Sequence, residues 1–447
     1  MARTRTVSAL TMGAVLACAG IAGGTASAQA RKHAATSTTS CSVSAPSRHD
    51  VVITYWSSGP PFGVSTYVCG FNKQYVGKYF VKFTSIPYAT EFAQVGAALS
   101  ANNAPDIMQE STTPSLYYAY LHLAEPIAPY LKTAKIKSSA FPRGRWADVV
   151  VNGVHYGAPV FSQPTMLFYN KALFAAAGIT HPPTTKAQFI SDAQKLTKSS
   201  KRQVGFIQDP GKNENDFEFP SWVYQFGGAM ATANPARVLF NSNAAKRALK
   251  FEYDLIYKYH VSPAKASTNE YQTMFLQQHA AMTIVGSGFI PNAAAALGSK
   301  LGVAVLPQLG KKHADFLGGG YWWVFKKGNP TLTPARRKGI GLFMGYAYRH
   351  IAVLAENGLI PAYSGVLSAG YLKKFTFLPA VEQQVSVGRP NPMIPNWGTV
   401  TGVPLYNQID DILLGQTPIS SGLSTAASQT ASLMQTLPGM QGRKISM

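Results

Sequence analysis

The sequence predicts an α/β protein of two lobes, each a mostly parallel sheet flanked by helices, joined by a multi-strand hinge. Three observations lead there. Short β-branched or aromatic runs alternate with stretches whose apolar residues recur at helical spacing, the pattern of strand–helix–strand units. At 447 residues the chain is long for a single core, and length alone points to two or three domains. Finally, GVHYGAPVFSQPTMLFYNKALFAAAGI, residues 153–179, passes from one unit to the next as strand–proline–strand, with no Ser/Gly linker. Pro159 and Pro164 fix φ and remove N–H donors, so each is expected to end sheet pairing on its flank. Ser162 and Gln163 are expected to be exposed at that joint. A strand that leaves one sheet and enters another is what a hinge requires.

In chain order, residues 1–28 read as a secretory signal. Arg3 and Arg5 precede an apolar stretch from Val7 to Ala22, and Ala26-Ser27-Ala28 forms a small-residue cleavage site. Val15-Leu16-Ala17-Cys18 also fits a lipoprotein box, so cleavage near Ala28 and lipidation at Cys18 both stay open. No later apolar run reaches the ~20 residues a membrane span needs, so the product is expected in the periplasm or at the cell surface. Residues 29–48 are Ser/Thr/Ala-rich and aperiodic, a flexible leader. VVITY (51–55) is a β-branched strand ending at Trp56, followed by a helix over 64–75 and the strand KYFVKFTSI. A helix with Phe92, Val95 and Leu99 on one face leads to the short strand APDIMQE. Beyond the joint, Thr185 with Gln188 makes a capping box and Ser242 caps a further helix. QVGFI, AAMTIVG, GVAVLP and GGGYWWVFKKG read as strands. The lobes are expected at 49–159 with 283–318, and at 160–282 with 319–447.

Charged residues make up only 13%, and 40 Lys+Arg against 19 Asp+Glu leave a net charge of +21. Nucleic-acid binding would gather basic residues into a stripe with stacking aromatics. Here they fall as scattered pairs such as Lys201-Arg202, Lys311-Lys312 and Lys373-Lys374, so no nucleic-acid partner is expected. Attraction to an anionic envelope accounts for the charge, as does a depletion of carboxylates suited to acidic surroundings. The second is the reading favoured. Once Cys18 leaves with the signal, Cys41 and Cys69 in an oxidising compartment invite a disulfide, with two free thiols as the alternative. No Cys/His cluster stands at ligand spacing, and no metal or cofactor is expected.

No catalytic signature appears: no G-x-S-x-G, H-E-x-x-H, C-x-x-C, EF-hand or Walker loop. Gly286-Ser287-Gly288 and Gly318-Gly319-Gly320 lack phosphate-loop spacing. The residues suit a sugar instead, which needs flat aromatics for its C–H faces and paired polar groups for its hydroxyls. Trp56, Trp222, Phe289, Tyr321, Trp322, Trp323 and Trp397 lie at strand ends or in loops, although a core role competes for each. Trp322 and Trp323 alternate across one strand, so one is expected to face ligand and the other the core. Ser57 and Ser58 follow the first strand, and Glu110 and Ser111 end the strand after Asp106, where ligands collect in open α/β sheets.

A collinear set of motifs covers nearly all of the mature chain. It comprises VVITYWSS (51–58), APDIM (104–108), NGVHYGAPV with LFYNKALFAAAGI (152–179), PPTTKAQFISDAQKLT (182–197) and FPSWVYQFGG (219–228). FLQQHAAMTIVGSG (275–288), GVAVLP (302–307), GGYWWVFKKGNP (319–330) and RPNPMIPNW (389–397) complete it. Each is weak alone, but the ordered set resembles the family 1 extracellular solute-binding proteins of ABC importers, the class that includes maltose-binding proteins. The resemblance implies a periplasmic-binding-protein-like fold with ligand held in a cleft. It implies a stacking role for Phe289 and a cleft-facing loop carrying Asp216 and Glu218. Gln163 stands at the hinge position where maltose-binding proteins present a carboxylate, a departure that leaves disaccharide specificity open.

The expected ligand-binding set is Trp56, Ser57, Ser58, Glu110, Ser111, Gln163, Asp216, Glu218, Trp222, Phe289, Trp322 and Trp397. The expected function is non-enzymatic: a monomer captures a sugar or oligosaccharide, closes about its hinge and docks on an ABC permease. The alternative is an anionic solute such as glycerol phosphate, with Arg389 as its basic candidate. A glycan-degrading enzyme, which would need two placed carboxylates, ranks below both.

Overall fold

The computed structural model describes residues 41–58, 63–87, 90–110, 112–208, 217–264, 270–326 and 332–447. The signal expected at 1–28 and the leader up to residue 40 lie outside them. Cys41 is joined to Cys69 with Cα atoms 5.1 Å apart, which ties the segment before the first strand to the helix Val64–Gln74. The bridge closes a loop spanning 28 positions. Cys41→Ser is therefore expected to lower the unfolding free energy by about 3–4 kcal/mol, the loop-closure entropy of a chain that long, read by urea denaturation under oxidising conditions.

The first half of the sheet is parallel: β1 (Val51–Ser58) lies between β2 (Tyr79–Ile86) and β3 (Ile107–Glu110). Then follow β4 (Val150–Val151), β5 (Val154–His155), the 14-residue β6 (Gly157–Asn170), β7 (Ala231–Ala233) and β8 (Ala236–Val238). The remaining strands are β9 (Met282–Gly286), β10 (Leu301–Ala304), β11 (Asp315–Val324), β12 (Ile360–Pro361) and β13 (Gly388–Arg389). Nine strands form one sheet in the order β10-β6-β11-β3-β1-β2, with β9 and β12 also on β6 and β13 on β11. The α/β class holds, but the sheet is mixed: β6 runs antiparallel to β9, β10, β11 and β12. QVGFI contributes only isolated bridges, at Gln203, Val204 and Ile207. The Thr185–Gln188 capping box and the Ser242 cap are both present.

β6 does not stop at its prolines. Pro159 stands opposite Tyr321, where a register shift between Gly320 and Tyr321 absorbs the missing donor, and Pro164 stands opposite Leu317. A strand's residues address its two edges alternately, so one proline removes a bond from one edge only. At Thr165 the strand changes neighbours: pairing with β11 ends, and β6 continues with β9 and β10. Ser162, expected to be exposed, is buried between Gly319 and Ile360, while Gln163 is half-buried.

Two hydrophobic clusters sandwich β1 and β3. One holds Ile53, Tyr55, Phe71, Trp322, Phe343 and Tyr348; the other holds Met108, Tyr118, Tyr321 and Trp323. Two further clusters surround the later elements, with Phe189, Trp222, Leu249 and Trp397 in one and Phe168, Phe275 and Phe289 in the other. The chain returns to the first half through β11. β9 and β10, assigned above to the first lobe with 283–318, pair the Thr165–Asn170 end of β6. The end of β11 pairs β3 instead, and the helix Pro334–His350 packs on β1, both with the first half. Trp322 inside the first cluster drives that return, because it cannot be withdrawn without opening the core.

Candidate functional site

Strand register, parallel up to β3 and antiparallel beyond it, sets one line of residues across the sheet at the carboxyl end of β1: Ser85, Ser57, Gln109, Trp322 and Ala158 stand opposite one another in turn. Their side chains form a relay. Trp322 Nε1 donates to the Tyr55 hydroxyl at 3.2 Å, Tyr55 donates to Gln109 Oε1 at 2.8 Å, and Gln109 Nε2 donates to Ser57 Oγ at 3.1 Å. Burial pushes the Tyr55 hydroxyl up to about 12, against the opposing pull of its hydrogen bonds, so it stays protonated as a donor. The relay fixes Ser57 where ligands collect in such sheets. On the opposite face Glu110 stands across from Tyr321, and Trp56 from Met108. Glu110 and Glu91 lie close enough to Tyr118 that their charges add to burial in raising its hydroxyl pKa.

At the joint, Gly319 admits a side chain from outside the sheet. Arg145, on the short helix Arg143–Ala147, lies so close to β11 that a Cβ on Gly319 would fall 1.6 Å from its Nη2. Its Nη2 donates to the Phe161 carbonyl of β6 at 3.3 Å, its Nη1 pairs with Asp148 Oδ2 at 3.3 Å, and its Cζ sits 4.8 Å above the Tyr321 ring. The Tyr321 hydroxyl donates to the same Asp148 oxygen at 2.6 Å. Burial raises the Asp148 carboxyl above its ordinary range, although Arg145 and Tyr321 pull it down. One guanidinium thus touches both strands that run through the joint.

On the far side, Asp315 Oδ2 accepts the Thr165 N–H at 3.0 Å, at the residue where β6 changes neighbours. Its Oδ1 accepts from Ser221 Oγ at 3.1 Å, on the helix Glu218–Gln225. Gln163 reaches the same region: a Cβ on Gly286 would meet its Nε2 at 2.5 Å and the Phe217 ring at 2.6 Å.

The structure brings part of the expected set to this joint. Trp56, Ser57 and Glu110 stand at the strand ends and Gln163 at the crossing, with Glu218 buried at the start of its helix. Ser111 and Asp216 lie outside the described residues, as does the Ser58 side chain. The four other aromatics are corrected. Trp222 packs edge-on to Phe251, Phe289 to Phe168, and Trp397 near Phe240, each within a hydrophobic cluster. Trp322 and Trp323 lie on opposite faces, each surrounded by apolar neighbours within a hydrophobic cluster. Strand alternation was right; the second face is core too. Arg145, Asp148 and Asp315 were missed. The run Gly318-Gly319-Gly320 was their signal, since glycines inside a strand mark close approach of another group.

Comparison with known proteins agrees with this architecture. A galactooligosaccharide-binding protein of Bacillus subtilis is 23% identical over 374 residues, covering 82% of this chain and 85% of its own. The acarbose-binding GacH receptor of Streptomyces glaucescens superposes with a TM-score of 0.76 at 20% identity, over 87% of this chain and 99% of that one. UgpB from Mycobacterium tuberculosis, solved with glycerophosphocholine, gives 0.73 at 16%, over 86% and 98%. At such identities the structural likeness establishes the fold. The profile of bacterial extracellular solute-binding proteins matches residues 66–335, more than half of the chain and both sides of the joint, and the protein belongs to that family.

Proposed function

We propose that the protein captures an uncharged sugar or oligosaccharide outside the cytoplasm, without turning it over, and hands it to an ABC permease. The charge at the strand ends carries this reading. Glu110 and Glu91 are buried there, while the nearby Arg145 is already closed by Asp148 and by the Phe161 carbonyl. A phosphate there would meet carboxyl groups, and the guanidinium beside them is already engaged. Arg389, the basic candidate of the anionic alternative, is exposed and lies 5.7 Å over the Tyr224 ring. Two of the three relatives above are named for carbohydrate ligands, and UgpB supports the alternative.

The binding set that remains is Trp56, Ser57, Glu110, Gln163 and Glu218, with Ser58, Ser111 and Asp216 retained from the sequence. Closure swings the β1–β3 half against the other about the antiparallel crossing of β6 and β11. Ligand that contacts both halves stabilises the closed form through its differential affinity. Lipidation at Cys18, where it occurs, would hold the protein beside its permease.

A thermal-shift screen against sugars, polyols and phosphorylated polyols tests the reading. A ligand at 100-fold its dissociation constant adds about 2.7 kcal/mol and raises the melting temperature. A response confined to phosphorylated polyols would install the alternative, and consumption of the sugar would make the protein an enzyme. Gln163→Leu is expected to weaken the responding sugar roughly 10- to 100-fold, the cost of about 1–3 kcal/mol for an unmet hydrogen-bonding partner, with the unliganded melting temperature unchanged.

A further inference from the structure

We propose that the outer end of the first half carries a second binding surface, for an anionic polysaccharide. A groove of about 440 Å³ opens at the amino ends of the parallel strands, lined by Val51, Tyr75, Lys78, Tyr79, Lys338 and Leu342. Val51 and Tyr79 are the first residues of β1 and β2, whereas the proposed sugar site lies at the carboxyl ends. The intervening seven residues separate the two by roughly 23 Å at ~3.3 Å per residue, so both can be occupied together.

Three features match this surface to its ligand. First, the half-exposed Tyr75 and Tyr79 put aromatic rings in the groove, backed by the buried Phe71. Tyr79 lies edge-on to Tyr75 at 6.2 Å, Tyr75 stacks on Phe71 at 4.5 Å, Phe71 meets Tyr346 at 5.9 Å, and Tyr346 stacks on His350 at 4.1 Å. Tyr346 can lie across the helix Val64–Gln74 because position 70 is glycine; a Cβ there would sit 2.2 Å from its hydroxyl. Successive ring faces and edges are what the C–H faces of a sugar chain require. Second, the groove is cationic: the exposed Lys78 and Lys338 line it, and no carboxylate is among its lining residues. Third, this half of the protein turns its acids inward. Glu91, Asp106, Glu110 and Asp148 are buried and Glu125 pairs with Arg337, so that among the described residues only Asp50 and Glu356 of this half reach its surface. The +21 of the chain adds an overall attraction for polyanions. Stacking platforms alternating with ammonium groups fit a polymer of sugars bearing carboxylates.

The test is retention of the mature exported protein on immobilised polygalacturonate at low ionic strength, where the Debye length is about 30 Å at 0.01 M. The wild type is expected to bind. The double variant Lys78→Glu, Lys338→Glu, both exposed positions, should bind at least tenfold more weakly with an unchanged melting temperature. Tyr75→Ser, which leaves the charge untouched, should bind several-fold more weakly, and neither variant should alter the thermal response to the cleft sugar. Absence of retention overturns the proposal, as does wild-type retention of the lysine pair. Equal retention on polyaspartate with Tyr75→Ser unaffected would reduce the surface to a plain ion exchanger. Preference for oligothymidylate or for phosphatidylglycerol vesicles would assign it to a different partner and overturn the polysaccharide.

Discussion

Between pH 4 and pH 8 the unfolding free energy is expected to fall, and Asp315→Asn is expected to abolish most of that fall. Asp315 is completely buried, and burial pushes its carboxyl from 3.8 up to about 8 despite the opposing hydrogen bonds from Thr165, Ser221 and Gln384. In the unfolded chain the same group ionises near its ordinary value of about 4. The folded state therefore binds more protons across this window. Its stabilising contribution is complete below about pH 4 and is lost as pH rises through about 8. Four units at about 1.4 kcal/mol each set a ceiling of about 5 kcal/mol, a large share of the 5–15 kcal/mol typical of a folded domain. Asp148 is raised as well and pulls in the same direction. Glu125 opposes them: burial raises it, but Arg337 and Tyr130 overcome burial and hold it below its ordinary value, so its contribution is lost on acidification. The asparagine is geometrically suited, since its oxygen can accept the Thr165 N–H while its amide donates to Ser221 Oγ. Urea denaturation of both proteins across the range decides the matter, and a wild type more stable at pH 8 than at pH 5 would refute it. A maximum on the acid side would give the scarcity of carboxylates a purpose.

Gly319→Ala is expected to cost about 3–5 kcal/mol, far more than an added methyl group usually does in a strand. The new Cβ would lie 1.6 Å from Arg145 Nη2 and 2.5 Å from the Phe161 carbonyl oxygen. The guanidinium must leave, stranding Asp148 in a buried site, and loss of one partner of a buried ion pair falls in that range. Because Arg145 bonds β6 and packs on Tyr321 of β11, ligand affinity should shift with stability. A double-mutant cycle with Arg145→Ala identifies the cause. If the alanine acts through the guanidinium, the double variant loses less than the sum of the singles by at least about 1 kcal/mol. Additive losses would place the damage in the β6–β11 pairing instead.

Much of the fold was legible because it rests on local patterns. VVITY, the Thr185–Gln188 box and the Ser242 cap each specify their element within a few residues, and all three stand in the structure. What was not legible depends on partners distant in sequence. Pro164 reads as a break until Asp315, about 150 positions later, is seen to take the next N–H of β6. Trp222 and Trp397 read as platforms because loops and strand ends are where platforms occur. Phe251 and Phe240, which bury them, sit on segments whose proximity no short window reveals. The site was half visible for the same reason. Its strand-end serine and glutamate follow from topology, whereas the Arg145 slot is written in one glycine, Gly319, whose visitor comes from another element.

The late return of the chain to its first half bears on how the protein is made. The core around Tyr55 and Phe71 is completed by Trp322, Phe343, Tyr348 and Leu359. A nascent chain that has emerged only as far as β10 has no means of closing that core, so three hundred residues of the polypeptide wait on the arrival of the rest. The amino-terminal portion of the chain therefore stays open until β11 and the helix after it have been made.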